Sequence, residues 1–144
     1  EETDDIRLLE INPRISQSHS DSFNKVDGAP NHKPLVEIAL GKEPEFPHRD
    51  GKFEVAAKFY YRVFEDGRVS NIPSGEDLKN IRDEIPGMRI KIWVEKGTRL
   101  SELYDQDSYS YKLAILYFGG DSPEDMQDKF EWAKEILGYQ IEYC

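Results

Sequence analysis

Residues 6–12 alternate with a period of two: Ile6, Leu8, Glu10 and Asn12 share one side, and Arg7, Leu9 and Ile11 share the other. That pattern predicts a strand. Pro13 ends it, because proline has no N–H to donate to a ladder. The polar, serine-rich stretch 16–27 predicts a loop leading into a short helix that stops at Gly28. After Pro34, the run Leu35, Val36, Ile38, Ala39 and Leu40 predicts a second short helix ended by Gly41. Residues 42–52 hold Pro44, Pro47 and Gly51 and read as a linker.

Beyond the linker the texture is β-prone. Residues 53–64 predict a long strand, and Glu65-Asp66-Gly67 turns the chain into 68–72. Asp-Gly between two such runs predicts a hairpin. Ser74 is placed to cap a short helix bearing Leu78 and Ile81. Over 89–96, Ile90, Ile92 and Val94 alternate with Arg89, Lys91, Trp93 and Glu95, again a strand. Residues 111–118 are almost continuously apolar, as expected of a strand covered on both faces, and Gly119-Gly120 reads as the turn after it. The last helix is the clearest element. Ser122 is its N-cap, Pro123 takes the first helical position, and Glu124 and Asp125 face the positive end of the dipole. Met126, Phe130, Ala133 and Leu137 form its apolar stripe, Gly138 stops it, and 139–143 is a final strand. The expected fold class is α+β, with one division over 1–47 and a β-rich one over 48–144.

Composition narrows the function classes. The 144 residues are 38% hydrophobic and 33% charged, and no apolar run approaches the ~20 residues needed to cross a bilayer. The acidic start, Glu1-Glu2-Thr3-Asp4-Asp5, is unlike a signal peptide. Because the chain does not begin with Met, it is expected to be processed or cut from a longer reading frame. A formal net charge of -10 argues against nucleic acid and against an anionic membrane surface as partners. It leaves room for a nucleotide held through metal and local cations. The single cysteine, Cys144, cannot make an internal disulfide, so a reducing, cytoplasmic setting is expected.

Candidate chemistry concentrates in Glu10-Ile11-Asn12-Pro13-Arg14. Glu10 and Asn12 sit two apart on the predicted strand and therefore project together. A carboxylate and an amide carbonyl are hard oxygen ligands suited to Mg²⁺. Arg14, just past them, can reach the same place with a guanidinium that matches phosphate oxygens. A polar strand end before a proline turn is the plainer reading of Glu-x-Asn, but the full string E-x-N-P-R is far rarer by chance. Ser18, His19, Ser20 and Asp21 do not make a hydrolase triad, because adjacent residues do not face one another. His19, His32 and His48 lack the spacing of a zinc site.

The stretch Leu9-Glu10-Ile11-Asn12-Pro13-Arg14-Ile15 resembles the metal-binding string of the ATP-grasp superfamily, which includes biotin carboxylases, carbamoyl-phosphate synthetases and carboxylate–amine ligases. The order of the succeeding segments is similar too: a Ser/His-rich stretch, a glycine, a helix ending Ile38-Ala39-Leu40-Gly41, then a β-rich domain. The resemblance implies that Glu10 and Asn12 ligate the Mg²⁺ (or Mn²⁺) bridging the phosphates of ATP. It implies that Arg14 is catalytic, contacting the transferred phosphoryl group or an acyl phosphate. It further implies the trailing end of an ATP-grasp domain, then a domain like the barrel-sandwich domain of biotin carboxylases. The family's other acidic metal ligand would fall before Glu1, so this chain is expected to be inactive alone.

Departures from the family pattern bear on the substrate. Biotin carboxylases continue past the arginine and isoleucine with glutamine, valine and glutamate before a histidine; here Ser16, Gln17 and Ser18 precede His19. Loss of that glutamate favours a ligase that captures an acyl phosphate with an amine. Ser16, Ser18, His19 and Lys58 are the weaker substrate-binding candidates, Lys58 standing where biotin carboxylases use a substrate-binding arginine or else being a solvated strand lysine. The expected partners are ATP, a small carboxylate or bicarbonate, and an acceptor. The oligomeric state stays open, a homodimer of the parent being one arrangement. The alternatives are a biotin carboxylase-like piece and a non-catalytic assembly or binding module.

Overall fold

A computed structural model describes residues 8–12, 14–104, 107 and 109–143. The order is two short helices, α1 (Ser20–Val26) and α2 (His32–Ala39), then β1 (Val55–Val63), β2 (Gly67–Asn71), α3 (Gly75–Glu84), β3 (Arg89–Ile92), β4 (Tyr111–Gly120), α4 (Pro123–Leu137) and β5 (Gln140–Tyr143). The class is α+β, as expected.

The continuous apolar run became β4, with Leu113, Ala114, Ile115, Leu116 and Phe118 all buried. It is the middle of a three-stranded antiparallel sheet in the order β1-β4-β3. Register sets its two faces. On one, Lys58 is opposite Tyr117, which is opposite Arg89, and Tyr60 is opposite Ile115, which is opposite Lys91. On the other, Phe59, Leu116 and Ile90 line up and turn toward α4.

α4 delivers Met126, Phe130, Ala133 and Leu137 onto that second face, and α3 adds Ile81. Phe59 stacks with Phe130 at 4.6 Å and with Phe118 at 5.2 Å between centroids. Each such side chain contributes about 1.5–3 kcal/mol by leaving water. The helix ends follow their capping residues. The Ser122 hydroxyl accepts from the Asp125 N–H at 3.1 Å, and Gly138 takes the left-handed conformation at φ 54. Ser74 and Asp77 form a reciprocal capping box on α3. A second sheet pairs β2 with β5 over Val69, Val94, Leu100 and Leu113.

Three expectations need correction. Among residues 8–12 there is no strand, and Ile6 and Arg7 lie outside the described residues, as do Pro13 and Cys144. β1 and β2 do not form a hairpin, since β1 pairs with β4 and β2 with β5. Asp66 anchors a different contact: its carboxylate accepts from the Ser101 N–H at 2.9 Å and from Arg99 Nε at 3.0 Å. Gly67 is needed there because a Cβ would overlap Ile141 and Glu142 of β5. Gly119 and Gly120 are not a turn; they continue β4 opposite Ala56 and Val55. Their missing side chains make room for Phe53 and for Asp125 with Met126. Residues 42–52, read as a linker, have no helix or strand and are tied to the preceding helices by hydrogen bonds. The Gly51 N–H donates to the Val26 carbonyl at 2.9 Å, Phe53 N–H to Lys25 at 3.1 Å, and Arg49 N–H to the Asp27 carboxylate at 3.0 Å.

Candidate functional site

Of the string, Glu10, Ile11, Asn12 and Arg14 are described and lie at the surface. Asn12 Nδ2 donates to Glu10 Oε1 at 2.8 Å, so the two side chains do project together although the backbone is not a strand. The Arg14 N–H donates to the Asn12 carbonyl at 2.8 Å and turns the chain. Glu10, Asn12 and Arg14 are all exposed. The donor set suits a hard cation: one carboxylate and one amide, adjacent and open to water or phosphate.

The chain then tightens. Gln17–His19 makes one 3-10 turn leading into α1. Ser16 and Ser18 are half-buried with their hydroxyls 3.1 Å apart, whereas His19 is exposed. Ser20 Oγ lies 3.0 Å from His32 Nδ1, joining the starts of α1 and α2.

α1 lies against β1 and β4 on the sheet face opposite α4 and leaves a groove along each flank. The larger, about 750 Å³, has Ser18, Ser20, Asp21 and His32 on one wall and Lys58, Arg89, Lys91, Trp93 and Tyr117 on the sheet side. The smaller, about 490 Å³, lies between His19, Ser22 and Phe23 on one side and Ala56, Lys58 and Tyr60 on the other. Ser18 and Lys58 border both. The fold therefore brings Ser18, His19 and Lys58 of the substrate-binding candidates together around α1. Ser16 packs beside Ser18 but borders neither groove, and Glu10, Asn12 and Arg14 also lie outside them.

The cations on this face rest on aromatic rings. Lys58 Nζ is 4.7 Å from the Tyr60 centroid and 5.7 Å from that of Tyr117, and Arg89 Cζ is 5.6 Å from Tyr117. Lys91 and Lys112 both lie over Trp93, at 4.3 and 3.8 Å. Such contacts fix the direction of a cation without neutralising it. Among the described residues Asp21 is the one carboxylate bordering the larger groove, and it is shared by Lys25 at 2.5 Å and Arg89 at 3.2 Å.

Arg89, Lys91, Trp93 and Tyr117 were absent from the sequence-derived candidates. The alternation of Arg89, Lys91 and Trp93 against Ile90, Ile92 and Val94 was a usable signal for one polar face. The register that sets Tyr117 between Lys58 and Arg89 has no signature in local sequence. Among the described residues, no group of three or more His, Cys, Asp or Glu side chains could hold a metal ion, and no helix is long and apolar enough to cross a membrane. No family model, no curated protein and no solved structure matches this chain.

Proposed function

We propose that this chain is the trailing part of an ATP-grasp ligase, which activates a small carboxylate as an acyl phosphate for capture by an amine-type nucleophile. The observation carrying the reading is the adjacency of Glu10 and Asn12 at 2.8 Å, in a string that resembles the metal-binding string of that superfamily. Glu10 and Asn12 would hold Mg²⁺, offering carboxylate and amide oxygens once the Asn12 amide turns its carbonyl toward the ion. Mg²⁺ held there would supply positive charge against the nucleotide phosphates. Arg14 extends a guanidinium from the same exposed turn and binds phosphoryl oxygens.

Exposure of several apolar side chains agrees with this reading. Leu9 is 96% exposed, and Leu35, Val36, Ile38 and Leu40 on and after α2 are all more than half exposed. On the ligase reading, the remainder of the nucleotide-binding domain packs there. The exposed apolar side chains of α2 favour, as a second reading, an assembly module whose partner covers them. The serines at 16 and 18 favour an amine ligase over a biotin carboxylase, and the barrel-sandwich likeness of residues 48–144 belongs to the same proposal.

Phosphate release separates these readings. The full-length protein is incubated with Mg²⁺-ATP and a panel of amino acids and bicarbonate, and then compared with Asn12→Ala and Arg14→Ala. The ligase reading expects carboxylate-dependent release that falls at least about a hundredfold in each variant, the scale for removing a transition-state charge contact. Release that is unchanged in both variants, or absent from the parent, leaves the assembly reading.

A further inference from the structure

We propose that the larger groove, between α1 and the β1-β4-β3 sheet, binds a small organic polyanion through Lys58, Arg89 and Lys91. This goes beyond the metal-nucleotide chemistry of Glu10–Arg14, because Glu10, Asn12 and Arg14 do not border the groove.

Charge is the first argument. The chain carries a formal net charge of -10, yet among the described residues this concavity gathers Lys58, Arg89 and Lys91 against one carboxylate, Asp21. Asp21 is already shared between Arg89 and Lys25. The local sign is thus the reverse of the molecule's, and oxyanions of a ligand would relieve the repulsion among the cations. A concave site of one sign focuses field lines and concentrates the opposite charge.

Placement is the second. The three cations come from β1 and β3, the two strands that flank and pair with the buried middle strand β4, so their backbone positions are fixed. Lys58 and Arg89 flank one ring, Tyr117, at 5.7 and 5.6 Å, and Lys91 is held over Trp93 at 4.3 Å. Ordering them costs little further entropy on binding. Size and lining complete the case. About 750 Å³ is the scale of a metabolite site, and aromatic rings beside cations suit a carbon body bearing carboxylates. Ser18 and Ser20 add hydroxyl donors on the opposite wall. An extended polyanion such as nucleic acid is disfavoured by the acidic surface beyond the groove.

Trp93 makes the test optical. In a Trp132→Phe background, Trp93 is the remaining tryptophan, and its emission is followed while citrate or inorganic phosphate is added to the whole chain at constant ionic strength. Citrate should give a saturable change, with phosphate binding about tenfold more weakly for want of a carbon body. Lys58→Ala and Arg89→Ala should each weaken citrate about tenfold, the scale for a lost charge-assisted contact. Lys79→Ala, on the exposed side of α3, should leave it unchanged. Circular dichroism confirms that each variant is folded, and Lys58→Gln replaces Lys58→Ala if that variant is not. A linear response to citrate, phosphate binding as tightly as citrate, or equal weakening by Lys79→Ala overturns the proposal. So does a folded Lys58/Arg89 double variant that still binds as the parent does.

Discussion

Asp21 on α1 holds Arg89 on β3 through Oδ1 at 3.2 Å, while its Oδ2 takes Lys25 at 2.5 Å. The two pairs are unequal. Lys25 keeps only 10% of its side-chain exposure, whereas Arg89 keeps 70%. Asp21→Asn leaves a buried ammonium without its counter-charge and should destabilise the chain by about 2–3 kcal/mol. Arg89→Ala removes an exposed ion pair and should change stability by less than about 0.5–1 kcal/mol. Urea midpoints of the two variants measure the difference.

Tyr139 joins α4's end to the sheet, its hydroxyl donating to the Leu113 carbonyl at 3.1 Å with its ring edge-on to Tyr61 at 5.5 Å. Leu113 also accepts the Trp93 N–H at 2.8 Å, so Tyr139→Phe leaves no orphaned acceptor and should cost only about 1 kcal/mol. Burial pushes the Tyr139 hydroxyl well above the ordinary tyrosine range, with Tyr61 adding to it. A raised folded value means its stabilisation is complete below about pH 10 and is lost as pH rises beyond. The parent should therefore lose stability between pH 9 and 11 more steeply than Tyr139→Phe, by urea titration at each pH (a window of roughly two units around the ordinary tyrosine value).

Gly51 and Gly75 give opposite expectations for the same substitution. A Cβ at Gly51 would overlap the Lys25 and Val26 carbonyls, so Gly51→Ala should destabilise by about 1–3 kcal/mol. At Gly75, the first residue of α3, a Cβ meets nothing within 4 Å. Gly75→Ala should be neutral or stabilise by up to about 1 kcal/mol. Thermal midpoints of the two variants test both signs.

Asp66 contributes to stability on the acid side, alongside Asp77 and Asp125. Partial burial acts to raise its carboxyl, but hydrogen bonds from Ser101 and Arg99 outweigh that and hold it below the usual carboxylate range. A depressed folded value gives stability that is present above about pH 4 and lost as pH falls through it. The gap in urea midpoint between the parent and Asp66→Asn should narrow as pH drops from about 6 to 3. A gap that is constant with pH contradicts this role.

Elements that announce themselves locally were legible in the sequence. Ser122, Pro123 and Gly138 bracket α4 by caps, and the apolar run at 111–118 announced the central strand, because both signals lie within a few residues. Pairing was not. The Asp66-Gly67 signal is spent on anchoring Ser101 and admitting β5, contacts made with residues far along the chain. Gly119 and Gly120 looked like a turn because their small size serves Phe53 and Met126, which no neighbouring residue discloses. Lys58 was legible as a strand lysine. Its company of Arg89 and Tyr117 required the register of three strands.

Calorimetric titration of the full-length protein with ATP, with and without Mg²⁺, tests the ligase reading most directly. The account predicts that Asn12→Ala weakens ATP binding at least about tenfold when Mg²⁺ is present and changes it little when Mg²⁺ is absent. Binding that is the same in parent and variant with Mg²⁺ present would contradict it.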